Sequence, residues 1–456
     1  MASWPRTNFS LPAGTALSSG TMYAVTNQFG LIELFACDYT GTIWHAAQRR
    51  APSVGPPGHS TWAVEWPNPL WTAFPVPGTV TKPVRPAPVM LTVAKNGDGR
   101  LEVFAVGFDG NPYHMYQLPQ PAHVYDPAQT LAWSGWLPMT AAPISLFEED
   151  GFNTFAFPWS PAAATVGGMI VVCYYNSNAQ GAVYYDYQVA DSTQVGGVGW
   201  ASVANKGLFT IALPVPQNQF FGSISLVPTS GALTLMLLSG LGGIGAQGFY
   251  ASTLASAGGA WSAWQPLPPP LGASSYPTIF PKAAYPAMVS SWIGYAPGGG
   301  TALFFTDSSG ALTVLRQVLT QTGGAGPLNQ LGWNAIYDQQ LPAGNVGQWA
   351  RGVVAVEDKL ADTSDPANLH QAVFFTSLNE MQLQSQTYEV PAAVPAPPGP
   401  WPSSYGPTGA PAVLDDGTGG AFTRITQLAG VLDVSGTIQV FGMTESTANL
   451  YNWSEP

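Results

Sequence analysis

The sequence predicts an all-β fold, a seven-bladed β-propeller made of four-stranded antiparallel blades. Three observations predict it. A glycine is followed seven positions later by glutamine four times, at Gly41/Gln48, Gly110/Gln117, Gly181/Gln188 and Gly310/Gln317, with an aromatic six residues before each glycine (Phe35, Phe104, Tyr175, Phe304). Such self-similarity at a long fixed period is the mark of a repeat architecture. Helical periodicity is nearly absent, and short apolar–polar alternations bounded by Gly, Asn or Asp dominate, which reads as strands joined by hairpins. Tryptophan recurs after each strand pair, as Trp133 and Trp136, and as Trp261 and Trp264.

One unit is most legible in the second repeat. Asn96-Gly97-Asp98-Gly99 precedes a strand over Leu101–Val106, and Phe108-Asp109-Gly110-Asn111 then leads into a strand over Pro112–Gln117. Asn-Gly and Asp-Gly supply the positive φ that tight hairpin turns need. A loop follows, and then an outer strand carrying Trp133 and Trp136. Aligning the chain on the strand aromatic gives seven units, marked by Phe35, Phe104, Tyr175, a degraded fourth near Leu237, Phe304, Phe374 and Phe441. The seventh runs from Ile438 to Trp453 with no Trp-bearing outer strand after it, while Ser3-Trp4 is a spare one at the N-terminus. The ring is therefore expected to close by pairing the N- and C-terminal segments, which removes exposed strand edges. Units of about 65 residues exceed a WD40 blade, and the Gly-His…Trp-Asp signature is missing. The surplus falls in Pro-rich loops such as 51–60, 118–126 and 391–400. No linker divides the chain, so residues 1–456 are expected to form one domain.

Composition narrows the function. Only 8% of the 456 residues are charged, Lys and Arg total 13, and the net charge is −12. An average soluble protein carries about 25% charged residues. Without a basic run there is nothing to neutralise a phosphate backbone or an anionic bilayer, so neither nucleic acid nor membrane is an expected partner. No apolar run reaches the ~18 residues of a membrane span. The N-terminal residues lack the apolar segment of a signal peptide. The expected options are therefore cytoplasmic synthesis, a leader removed elsewhere, or release by a non-classical route. Cys37 and Cys173 occupy different registers of different repeats and are expected to be buried small hydrophobes, not a disulfide.

The second unit, from Gly99 to Gln117 with Trp133 and Trp136, resembles the blade of the seven-bladed PLL-type lectins of insect-pathogenic bacteria. The first unit, Leu31-Ile-Glu-Leu-Phe-Ala with Gly41-Thr-Ile-Trp-His45 and Gln48, is similar. The resemblance implies a fucose-binding propeller with shallow sugar pockets between neighbouring blades, and glycans or glycoconjugates as partners, with a homo-oligomer allowed. It also implies avidity from repeated weak sites. The family keeps its blades alike. Here the place of Glu33 and Glu102 is read as Cys173, Ala302, Ala372 and Gln439, and that of His45 and His114 as Tyr185 and Val314.

The candidate sugar-binding residues are therefore Glu33, Trp44, His45, Glu102, Tyr113, His114, Trp133 and Trp136. A carboxylate accepts from sugar hydroxyls, and an aromatic face beside an imidazole suits a sugar's C–H face and its in-plane hydroxyls. The competing readings are structural. The Glu positions can serve a nearby backbone donor, the His can be satisfied within its hairpin, and the tryptophans can pack blade on blade. Gln48, Gln117, Gln188 and Gln317 are expected to bond backbone within their own blades. No His-Glu-x-x-His, phosphate loop or Cys-x-x-Cys exists. Gly240–Gly245 reads as a hairpin loop, Glu148–Asp150 as a solvated run, and the histidines at 45, 59, 114, 123 and 370 lack ligand spacing, so neither cofactor nor metal is expected. The alternative function is an isomerase, lyase or cyclase with one asymmetric pocket for an apolar molecule, drawing on Arg316, Arg351, Glu357, Asp358 and Arg424.

Overall fold

The computed structural model describes residues 4–11, 15, 17–38, 42–53, 61–67, 70–74, 91–107, 111–120, 128–139, 161–176, 182–190, 198–205, 207–212, 221–229, 232–239, 248–266, 291–296, 300–306, 312–319, 331–339, 353–358, 370–377, 382–389, 406–407, 412–415, 425–444 and 450–455. Among them the fold is all-β apart from one five-residue helix, Ala201–Asn205. No helix is long and apolar enough to cross a membrane.

The strands form sheets of four or five in chain order, every pairing antiparallel. The first sheet holds Leu17–Thr26, Ile32–Asp38, Ile43–Ala47 and Thr72–Phe74. The second holds Leu91–Lys95, Leu101–Val106, Pro112–Tyr116 and Leu137–Pro138. The third runs through Ala162–Val166, Met169–Asn176, Ala182–Ala190 and Val198–Trp200, with Phe209–Ala212 also on its third strand. The fourth begins with Phe221–Thr229, Ala232–Ser239 and Gly248–Leu254, the fifth with Ser291–Ala296 and the sixth with Val353–Asp358. The seventh comprises Ile425–Leu432, Ile438–Thr444 and Leu450–Ser454, with Arg6–Phe9 as its outer strand. The N-terminal strand is thus Arg6–Phe9. Trp4, the residue expected to mark it, lies just outside and packs edge-on against Phe374 of the sixth sheet at 5.4 Å. A separate two-stranded ribbon, Arg49–Ser53 with Thr61–Glu65, is inserted between the third and fourth strands of the first sheet.

First strands meet in a cycle. That of each sheet lies against that of the next, from the first sheet to the seventh, and Ile425–Leu432 of the seventh lies against Leu17–Thr26 of the first. Apolar side chains fill the seams. Phe35, Cys37, Ile43 and Phe74 of the first sheet pack on Leu91, Val93, Val103 and Met115 of the second. Both cysteines are buried and free, their thiols pushed up by desolvation.

Three first-to-second-strand hairpins share one turn. Asn27, Asn96 and Asp433 each accept from the backbone N–H three residues on, at Gly30, Gly99 and Gly436, whose φ is +76°, +87° and +81°. Only glycine adopts that left-handed conformation without a steric cost, so Asx-x-x-Gly dictates the turn. The turns expected at 108–110 and 240–245 lie outside the described residues.

Candidate functional site

Strand alternation sends successive side chains to opposite faces, and this decides how the candidate residues are used. In the first sheet His45 turns toward the second sheet, where Trp133 meets its ring edge-on at 5.5 Å and Phe74 stacks on it at 5.0 Å. Trp44, one residue earlier, packs with Phe9, Met22 and Phe441 toward the seventh sheet. Its indole N–H donates to Asp38 Oδ2 at 2.9 Å. Trp44 and His45 are adjacent in sequence but serve different seams, which corrects the expectation of one composite platform. Tyr113 and His114 alternate in the same way on their strand.

Structure does assemble Glu33, His45 and Trp133. His45 Nε2 lies 2.8 Å from Glu33 Oε2. Glu33 Oε1 accepts from Asn27 Nδ2 at 2.8 Å and, across the seam, from Gln117 Nε2 at 2.7 Å. Gln117 Oε1 accepts from the N–H of Leu101 in its own sheet. The second seam repeats the device. His114 Nδ1 lies 2.6 Å from Glu102 Oε1, and Glu102 Oε2 accepts from Asn96 Nδ2 and from Gln188 Nε2 of the third sheet at 3.0 Å. Trp200 stands against His114 as Trp133 does against His45, edge-on at 5.5 Å. Each glutamine therefore joins its own backbone to the carboxylate of the preceding sheet. Its backbone bond follows the sequence expectation for Gln48, Gln117 and Gln188; the Gln317 side chain is outside the described set.

The third seam is instructive by contrast. Ladder register puts Val171, opposite Tyr187, in the carboxylate place, because Gln188 follows Tyr187 as Gln48 follows Ala47, the partner of Glu33. The sequence alignment on Tyr175, which put Cys173 there, is two residues out. The third sheet's hairpin strands are longer, 8 and 9 residues against 7 and 5 in the first, so Tyr175 lies one pleat further along. In the fourth sheet Leu254 bridges Trp261 as Gln117 bridges Trp133, so leucine stands in the glutamine place. Both Val171 and Leu254 are fully buried in one cluster. Where the carboxylate is gone, the cross-seam amide is gone too. Tyr185 takes the imidazole place, as expected, with Trp261 edge-on at 5.8 Å. In the seventh sheet Gln439 Nε2 donates to Asp433 Oδ2, and Gln439 Oε1 accepts from Asn452 Nδ2 and Ser454 Oγ, an amide version of the same cluster.

The second seam also holds a group that the sequence reading missed. Asp186 is fully buried, with Oδ1 accepting from the N–H groups of Tyr187 and Ser202, and Oδ2 has no hydrogen-bond partner among the described residues. Burial pushes its carboxyl up to about 6, against those two donors and the nearby His114. A raised carboxyl pKa makes the folded state bind the proton more tightly, so the stability it confers is complete at low pH and is lost as pH rises from about 4 to about 6. Linkage puts that loss at about 3 kcal/mol. Asp186→Asn keeps both backbone bonds and abolishes this term. Melting curves from pH 4 to 7 are expected to show the variant gaining on the wild type as pH rises; parallel pH profiles would refute the raised value.

Solvent reaches other members of the set. Trp44, Tyr113, Trp133 and Trp136 are half-buried, as are Trp261 and Trp264. Trp136 packs on the first seam's core, and Trp264 donates its indole N–H to Ala212 O of the third sheet at 2.7 Å. No group of three or more His, Cys, Asp or Glu suited to a metal occurs among the described residues. Of the residues considered for an enzyme pocket, Arg351 and Arg424 lie outside the described residues, and the side chains of Arg316, Glu357 and Asp358 are not described; Glu148–Asp150, His59 and His123 are also outside.

No protein-family model and no curated protein matches the chain. Solved structures do. The BP39L lectin from Burkholderia pseudomallei is similar at 18% identity and a TM-score of 0.48, over 94% of this chain and 97% of that one. The fucose-specific lectin from Aleuria aurantia is similar at 10% identity and a TM-score of 0.39, over 81% and 92%. The intramolecular trans-sialidase from Ruminococcus gnavus is similar at 11% identity and a TM-score of 0.44, over 97% and 96%.

Proposed function

We propose that the chain is a single-domain, seven-bladed β-propeller closed through its N-terminal strand, and that it binds neutral sugars, such as fucose or O-methylated glycans, at the outer edges of the seams between blades. The cycle of first-strand contacts and the pairing of Arg6–Phe9 with Leu450–Ser454 support the architecture. One observation carries the binding reading. A half-buried tryptophan pair recurs at the outer edge of two seams, Trp133 with Trp136 and Trp261 with Trp264, its inner indole edge-on to the ring of the preceding sheet. The inner indole is committed to packing, and the outer one keeps part of its face toward water. A partly wet indole in a charge-poor surface suits the C–H face of a neutral sugar better than an ionic ligand.

In this reading the eight candidate residues divide in two. Glu33, His45, Glu102 and His114 form the buried floor that fixes each third strand, with their carboxylate oxygens occupied from within the protein. Trp136, with Trp133 behind it and Trp44 and Tyr113 on the same strands' outer faces, makes the contact surface. Calorimetry with methyl α-L-fucoside and its O-methylated derivatives is the test. Trp136→Ala is expected to weaken binding about tenfold or more while leaving the fold intact, the loss of one stacking surface. Binding by no member of the series, or a Trp136→Ala protein that binds as well as wild type, would end the proposal.

A further inference from the structure

The ribbon inserted into the first sheet is not needed to complete that sheet, yet it is seated on the second. The N–H of Arg50 donates to Ala128 O at 3.1 Å. That bond brings Arg50 beside Gln129, which is held at φ +58°, the one positive value among described non-glycine residues. Opposite it, the ladder of 116 with 134 and 118 with 132 continues to bring Gln120 across from residue 130. Three polar atoms thus meet at one place: Arg50 Nε, Gln120 Nε2 and Gln129 Oε1. All three are buried, and none has a hydrogen-bond partner among the described residues. Buried polar atoms are nearly always paired, and leaving three of them unpaired in one spot is costly unless something else satisfies them.

An apolar face adjoins them. Register pairs Arg50 with Val64 and Pro52 with Trp62, so these four side chains share one side of the ribbon. Trp62 and Val64 are 41% and 40% exposed, among the few large hydrophobics the protein shows to water. Arg49, on the opposite side, is already engaged with Glu65 at 2.9 Å. Arg50 therefore offers its cation to this face alone.

We propose that the ribbon and the 128–130 segment form a second binding site, separate from the seams, for a glycan that carries a carboxylate, a uronic acid. The chemistry matches group by group. A carboxylate takes the guanidinium and the Gln120 amide N–H, a sugar hydroxyl donates to Gln129 Oε1, and the C–H face of the pyranose lies on Trp62. A neutral sugar would leave the cation unanswered, and a small anion would leave the indole bare. The strained conformation of Gln129 is then retained for what its side chain binds.

Titration calorimetry with trimers of galacturonate, glucuronate and mannuronate, each beside its uncharged methyl ester, tests this. At least one acid is expected to bind, with its ester about tenfold weaker or worse. Arg50→Met and Trp62→Ala should each weaken the acid about tenfold, and added salt should weaken it further. Trp62 is exposed, so its variant should melt with the wild type and separate binding from folding. Gln129→Gly should also weaken the acid while melting no lower, since glycine removes the strain. Trp136→Ala should leave uronate binding untouched, which keeps this site distinct from the seam sites. The proposal falls if no acid binds, if acid and ester bind alike, or if the three ribbon-site variants bind as wild type.

Discussion

Glu33→Val is expected to destabilise the protein by about 3–5 kcal/mol, the range for removing one partner of a buried charged cluster. The substitution itself is apolar and smaller, so lost packing is not the main cost. The cost is that Asn27 Nδ2, His45 and Gln117 Nε2 all lose their acceptor at once. The same protein supplies the control. In the third seam valine and leucine occupy the two places, and both are fully buried without the polar bridge. Adding Gln117→Leu to Glu33→Val should therefore cost less than the two changes measured singly, by at least about 1 kcal/mol of coupling. Rescue stays partial, because the N–H of Leu101 also loses the Gln117 carbonyl. Urea denaturation of the four proteins reads the cycle directly. Strictly additive costs would show that the glutamine and the carboxylate are independent, and the latch interpretation would be lost.

Phe9→Ala is expected to cost about 3–4 kcal/mol, as for other buried aromatic truncations. Phe9 lies at the outer strand of the seventh sheet, stacked near Phe441 at 6.4 Å and edge-on to Trp66 at 5.3 Å. Its anchor holds Arg6–Phe9 on Leu450–Ser454. Once that strand detaches, the backbone edge of Leu450–Ser454 is open to pair with another molecule. The variant should consequently show a lowered melting temperature and concentration-dependent aggregation on size exclusion. Asn8→Ala, at an exposed position of the same strand, should stay within about 0.5 kcal/mol of wild type. Equal melting of the Phe9→Ala and wild-type proteins would deny that the N-terminal strand contributes to stability.

Much of the strand level was readable from the chain. The alternation of Leu101–Val106 and the turn at Asn96–Gly99 gave their elements because both signals are local, set by the pleat and by glycine's access to positive φ. The glutamine's bond to its own blade's backbone was also within reach. Three things were not. The two-residue slip in the third unit escaped because an aromatic is a poor register mark when the hairpin lengthens; only the ladder pairing of Val171 with Tyr187 fixes it. Asp186 carried no sequence signal at all, being one acidic residue in a tyrosine-rich strand. Trp44 and His45 were joined as one platform although period-two alternation already pointed them apart.

Sequence by itself determined the secondary structure, the repeat and the exclusion of strongly ionic partners, since these follow from short-range backbone preferences and from composition. Tertiary structure alone decided what the polar residues do. Gln117 reaches Glu33 across 84 residues of chain, and Gln188 reaches Glu102 across 86. No local pattern encodes such a contact. Whether a carboxylate is a ligand contact or a buried latch depends on which donors the neighbouring sheet brings to it, and on how much water the seam between the two sheets leaves.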